Sequence, residues 1–570
     1  MDVYTDVPSN AYKLHTLFNA VIDGTSVQAW SVSRSTYPRV IAAYSIIIFF
    51  LFVFLWKLLA CLVLASFKAD DAAQAVGLVG FWNCADPLSA SVYSLAYIGR
   101  LLSSENSLHL RRTKYLAPAA IMVVISTGSL AGSLAAGIVY PERLRLADIA
   151  PVHPSTVFWP FIGQVGDTTT SEILSYSRPG IMRALGSAEF ATLNTKLPMA
   201  HIHRVKLSSG NITHPQEGIH WDYKLGAEDF GLQVFPNFMM EIEGQCVTEY
   251  GWEGMSRGLN SYIPWGLDIR GNSVPVATED FGSLLLDLAV FLHPDIDTDQ
   301  QLVNRSFAFA ATTSRLASFS ASTDPWYYTE TKNDSTYQNA PYRVKPHRPA
   351  LSCWETTQIC VNGVCYNTNL ENSPIPEGLT FVFKSRFRHP MVHHIGQSAG
   401  ASALKSYTGS AGGAFVDAGA ASMYGDMERL VLAGYLHSRN VLRELIDSAK
   451  PAGAYNALEK ESGILMEGAD QFVVKTEQTV ALRWGYLLAA PITTSILMLL
   501  VVILRVNALP TLVPRATAFQ ATQLFRQLSE AYTRQDWAIR YGSTPLPSNA
   551  VLTTPFSTIL RNKIPRINHP

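Results

Sequence analysis

Three stretches of the chain break the usual mixing of apolar and polar positions. Val40 to Ser66 is apolar except for Lys57, Tyr115 to Tyr140 carries no charge, and Gly485 to Leu504 is uncharged and begins beside Trp484 and Tyr486. Each reaches the roughly 20 helical residues needed to cross a bilayer core, and the two aromatic rings suit a headgroup layer. A secretory signal has an apolar centre of about 7 to 15 residues close to the start. The first run is longer and follows an arm of residues 1–39, so it reads as an uncleaved span.

Elsewhere the periodicity is shorter. Gly231 to Glu243 and Leu379 to Phe383 are β-branched and aromatic runs in a segment punctuated by Pro, Gly and Asn, which predicts strands with some helix; Leu284 to Leu292, interrupted by Asp287, reads as a core strand or helix. Gly396 to Ser422 is dominated by Gly, Ala and Ser and reads as a flexible connector. Asp426 to Lys450 places apolar residues close to helical spacing and ends at Pro451, predicting a membrane-proximal helix.

The expected fold is an α-helical membrane protein with three transmembrane helices and a large mainly-β (α+β) extracellular or lumenal domain. Its parts are an outer arm (1–39), spans at 40–66, 115–140 and 484–505, a cytoplasmic segment (67–114), and a disulfide-containing domain (141–395). A connector (396–422), a membrane-proximal helical region (423–483) and a basic cytoplasmic tail (506–570) complete it.

Composition supports this division. Only 16% of the 570 residues are charged, which is low for a soluble protein. The net charge of -1 gives no basic field for nucleic acid. Cations cluster between the first two spans (Lys68, Arg100, Arg111, Arg112, Lys114) and after the third (Arg505, Arg515, Arg526, Arg534, Arg540, Arg561, Lys563, Arg566). Both segments therefore read as cytoplasmic, and Lys57 reads as a residue snorkelling to the inner headgroups. The middle segment, net acidic, is left outside or lumenal, in a plasma-membrane or secretory-pathway protein. It holds the three glycosylation sequons, at Asn211, Asn304 and Asn333, which read as surface acceptor sites.

Cys246, Cys353, Cys360 and Cys365 fall in the same segment, where disulfides are permitted. In ICVNGVCY, Asn362-Gly363 is the preferred two-residue hairpin turn. That turn places Cys360 opposite Cys365 at a separation suited to a disulfide and leaves Cys246 for Cys353. Paired CxxC elements for zinc are lacking.

Other chemistry is thinner. GQSAG, with Ser398 at its centre, matches the GxSxG nucleophile elbow, which needs a strand, a sharp turn and a helix; Val392 to Ile395 is the available strand. Only His437 follows on the outer side, and small residues meet this pattern easily, so connector is the preferred reading. His389, His393 and His394 offer imidazoles that His201, His203, His214 or His220 could supplement as metal ligands, yet they read as surface residues at a proline turn. Asp295, Asp297 and Asp299 lack the glycine and glutamate of a calcium loop. Neither a metal nor a cofactor is expected.

In the second span, Gly128, Gly132 and Gly137 form a small-residue face for close helix packing. Residues 519–541 read as a basic amphipathic helix for anionic lipid or a protein partner. The partners expected are membrane lipid and a protein bound through the outer domain or that helix. The layout of two early spans, a large glycosylated loop and one late span resembles uncharacterised membrane proteins of filamentous fungi. That resemblance implies an accessory role in a secondary-metabolite pathway and transfers no site residues. The best functional reading is a non-catalytic binding or accessory membrane glycoprotein; a tethered serine hydrolase using Ser398 and a pore or transporter subunit are the alternatives.

Overall fold

The computed structural model describes residues 7–66, 81, 84, 86–103, 112–161, 169–193, 200–207, 216–256, 259–267, 274–275, 288–293, 305–311, 317–331, 340–345, 348–367, 370–408, 415–447 and 455–505. The chain divides into two compact units, Met1–Ser31 with Asp148–Thr479, and Val32–Ala147 with Val480–Pro570.

The second unit is helical. Its long members are α1 (Tyr37–Ser66), α2 (Pro87–Ser103), α3 (Arg112–Leu144) and α8 (Trp484–Arg505). Three of them, α1, α3 and α8, are long and apolar enough to cross a membrane. Near one end of the unit the Tyr44 ring lies 6.0 Å from that of Tyr140. The Tyr44 and Tyr140 hydroxyls donate to the Leu487 and Tyr486 carbonyls of α8.

α2, within the segment expected to be cytoplasmic, packs on α3. Ser91 donates to the Ser126 hydroxyl (3.0 Å), while Ala90, Ala119 and Met122 share a buried cluster with Trp56 and Phe81. Lys57 has a partner within the protein: its ammonium donates to the Cys84 carbonyl at 2.7 Å, and this charge-assisted bond ties α1 to the segment before α2. The three glycines of the expected packing face have different surroundings within the chain. A Cβ on Gly132 would meet the Phe52 ring at 3.4 Å, but one on Gly128 or Gly137 would meet nothing within 4 Å.

The first unit is built on an antiparallel sheet. Its strands are β1 (His201–Leu207), β2 (Gln216–Gly226), β3 (Met239–Glu249), β4 (Leu288–Leu292), β5 (Arg305–Ala311), β6 (Ala350–Val361) and β7 (Val364–Tyr366). The order is β4-β5-β6-β3-β2-β1, with β7 folded back on β6. Alternation assigns the two faces. Ile219, Trp221, Tyr223 and Leu225 of β2, with Met240, Ile242 and Cys246 of β3, point into the core; His220, Asp222, Lys224, Glu241 and Glu243 lie on the opposite face. Gly244 has no side chain because Trp221, directly opposite, fills that space.

The core face is covered by α4 (Thr169–Leu193), α5 (Glu377–Arg386), α6 (Met391–Ala399) and α7 (Met423–Arg439). Leu379–Phe383 is therefore helix, not strand: Leu379, Val382 and Phe383 bury one side of α5. The membrane-proximal helix expected after residue 423 is instead α7, a core helix with Met427, Leu430, Val431 and Ala433 buried. The arm at the N-terminus is also folded, as a hairpin of Leu17–Ile22 with Thr25–Ser33; its preceding segment joins this unit through Lys13 N to Pro151 O (2.8 Å).

Two disulfides join directly opposed residues, Cys246 with Cys353 (Cα separation 4.1 Å) and Cys360 with Cys365 (3.9 Å). Between the latter, Asn362 (φ 52°) and Gly363 (φ 83°) both occupy the left-handed region, as the primed hairpin turn requires.

Candidate functional site

Ser398 lies in the last turn of α6, and this overturns the elbow geometry. Val392 to Ile395 is helix rather than strand, so no strand delivers the serine to a sharp exposed turn. Its hydroxyl is buried without a hydrogen-bond partner. Gly396 has a packing reason to be glycine, because a Cβ there would sit 2.5 Å from the Phe309 ring.

The segment read as a connector is also ordered where it is described. After α6 come a 3-10 turn (Gly400–Ala403) and a short helix (Lys405–Thr408), and Ala403, Leu404, Val416, Ala418 and Ala421 are buried. Two residues one helical turn apart on α7 hold it. Arg429 donates through Nη1 to the carbonyls of Leu404 (2.9 Å) and Ser402 (3.1 Å); Asp426 accepts from Ser406 N (2.7 Å) and from the Tyr327 hydroxyl (2.6 Å). Burial pushes Asp426 up to about 6. Small residues here permit close packing, and the polar anchors satisfy the turn's backbone.

Around α6 the core holds an unusual set of polar groups. His389, His393 and His394 are a correction to the surface reading: His393 is 1% exposed and His437 of α7 is fully buried. The rings of His394 and His437 are 6.2 Å apart. Burial drives all three of His393, His394 and His437 down, helped by neighbouring imidazoles and by Arg386, and His394 falls to about 3. They are neutral at physiological pH. Arg386, lowered by burial to about 10, lies 4.4 Å over the Trp159 ring. Arg183 pairs with Glu444 (2.7 Å) and Asp447 (3.4 Å).

On the sheet side, Glu355 is 1% exposed and accepts from the Met391 backbone N–H at the start of α6, a favourable place for a carboxylate. Burial, then the nearby Glu355, push the Tyr223 phenol well up. Glu355 and Tyr223 escaped sequence reasoning; the signal available was a lone acid at an inward position of a strand. This network joins helices to sheet, with Glu355, His393 and His437 at its almost fully buried centre and Arg183 at its half-exposed edge.

Among the described residues no three metal-ligating side chains converge on one point. The sequons Asn211, Asn304 and Asn333, His214, Asp295, Asp297 and Asp299, and the helix at 519–541 lie outside the described residues.

Residues 178–474, just over half of the chain, match the family described as Domain of unknown function (DUF8406). That span contains the whole main sheet and α5 to α7. Neither a curated protein nor a solved structure matches the chain.

Proposed function

We propose that this chain, which belongs to the DUF8406 family, is a membrane-anchored, non-catalytic binding or accessory protein that holds a disulfide-bonded β domain on the oxidising side of a membrane. The observation that carries the reading is the segregation of two chemistries. Both disulfides lie in one unit, and the three long apolar helices lie in the other. Side chains on those helices point outward and are apolar: Ile46 and Phe49 on α1, Val124, Leu134 and Ile138 on α3, Ile492 and Ile496 on α8. Water penalises such a surface and hydrocarbon does not. The chain passes from the disulfide unit into the helical unit after residues 31 and 479 and returns after 147, which suits two spans of opposite direction followed by a third.

The test uses sealed microsomes carrying the full chain with an epitope tag after Pro570. Added protease should remove the tag and spare the β domain until detergent is added, and an enzyme that removes N-linked sugars should increase the protein's mobility. Digestion of the β domain without detergent contradicts the reading.

A further inference from the structure

The outward face of β1, β2 and β3 gathers three histidines that the interior network does not use. His201 and His203 occupy alternate positions of β1 and so share a face. His203 stands directly opposite His220 on β2, and His201 opposite Asp222. The rings of His203 and His220 are 4.7 Å apart. Each flanking histidine already has a carboxylate on one ring nitrogen: His201 Nδ1 lies 3.1 Å from Asp222 Oδ2, and His220 Nε2 lies 3.2 Å from Glu243 Oε1. The remaining nitrogen of His220, Nδ1, is buried and has no hydrogen-bond partner.

We propose that His201, His203 and His220 form a site for a divalent transition ion of the zinc class, with Asp222 and Glu243 as orienting acceptors. The tautomers follow from the contacts. A carboxylate accepts, so it fixes the proton on His201 Nδ1 and on His220 Nε2, leaving lone pairs on His201 Nε2 and His220 Nδ1. A ligating imidazole in metal sites is commonly held this way, with its other N–H on a carboxylate. Opposed Cβ atoms on one face of an antiparallel pair are roughly 5 Å apart. That spacing lets imidazoles reach a common ion at about 2.0 to 2.1 Å each.

In the present conformation the three do not yet converge. The side chain of His201 is 83% exposed and that of His203 also faces solvent, so packing holds neither ring: His203 can turn towards Nδ1 of His220, and His201 can follow with its Asp222 contact kept. Asp222, Glu241 and Glu243 outweigh Lys224 locally, which favours a cation. Water completes a four-coordinate shell.

The full-length protein, purified in detergent and stripped with a chelator, is titrated with zinc in a calorimeter and with cobalt by visible absorption. One equivalent should bind with a Kd in the micromolar range or tighter, and cobalt should give the intense bands of a tetrahedral nitrogen-rich site. His203→Gln combined with His220→Gln should weaken zinc at least 100-fold, and Glu243→Gln about 10-fold. The metal-free thermal midpoint of Glu243→Gln reports that its fold is intact. Zinc binding that needs millimolar concentrations, or binding unchanged in both variants, overturns the proposal.

Discussion

Replacing Cys246 and Cys353 together by alanine should destabilise the β domain far more than replacing Cys360 and Cys365. The first bridge closes a loop with a sequence separation of 107, the second one of 5. Constraining the unfolded chain by loops of these lengths stabilises the fold by about 4 to 5 kcal/mol and about 2 kcal/mol respectively on the chain-entropy argument. The central bridge also lies in the core, with Cys246 fully buried and Cys353 nearly so. Its removal therefore leaves unfilled volume as well. Near 60 °C unfolding entropy is about 2.1 cal/mol/K per residue, so in a unit of this size the losses correspond to falls of about 6 °C and about 3 °C. Differential scanning calorimetry of the full-length protein in detergent, without reductant, reads both. Equal falls, or a larger one for the hairpin pair, would refute the reasoning, because loop length would then not be what sets the stabilisation.

Three further outcomes follow from the interior. Gly396→Ala should cost about 1 to 3 kcal/mol by forcing Phe309 aside, whereas Ser398→Ala should leave stability unchanged, and a serine-reactive phosphonate should not label the folded wild type; both are read by thermal shift and by gel fluorescence. Arg429→Met should remove the guanidinium bonds to Ser402 and Leu404 and accelerate limited proteolysis within 400–408, with the cleavage site found by mass spectrometry. Acid should destabilise the fold. His394 titrates near 6.5 unfolded and at about 3 folded, so below pH 6.5 the unfolded state takes up a proton that the folded state refuses. This one residue removes about 1.4 kcal/mol per pH unit, or about 2 kcal/mol at pH 5. His393 and His437 shift in the same direction. Asp426, raised to about 6, acts oppositely between pH 6 and 3.8, as do Glu249, Asp324 and Asp447, which are also raised, but the histidines' loss begins higher, at pH 6.5, and has the larger shifts. The thermal midpoint should fall from pH 7 to pH 5, and a flat or rising profile contradicts the buried neutral histidines.

The readable parts of the chain were those whose physics is local. An Asn-Gly pair between cysteines specifies a tight hairpin because both residues tolerate positive φ, and an uncharged run of some 20 residues specifies a long apolar helix. The unreadable parts depend on partners far away in sequence. Glycine, alanine and serine in 396–422 suggested flexibility, yet Gly396 is small because Phe309 is there, and Gly419 because a Cβ would meet Ser320 at 2.9 Å. Leu379 to Phe383 has strand-like composition, but the inward face it needs is that of a helix covering the sheet. The interior site was hidden for the same reason: histidines beside Pro390 look superficial until α7 closes over them. His201 and His203 were visible as an alternating pair, while His220 joins them only through the register of β1 with β2.

The account's central claim is an oxidised β domain carried by helices embedded in lipid, and thiol counting on membranes tests it most directly. Membranes containing the full chain are washed at alkaline pH, floated on a density gradient, and treated under denaturing conditions with a maleimide of high mass before or after reduction. The account predicts that the chain floats with lipid and that reduction adds four tags, at Cys246, Cys353, Cys360 and Cys365. A chain released by the wash, or one whose four cysteines are tagged without reduction, would contradict it.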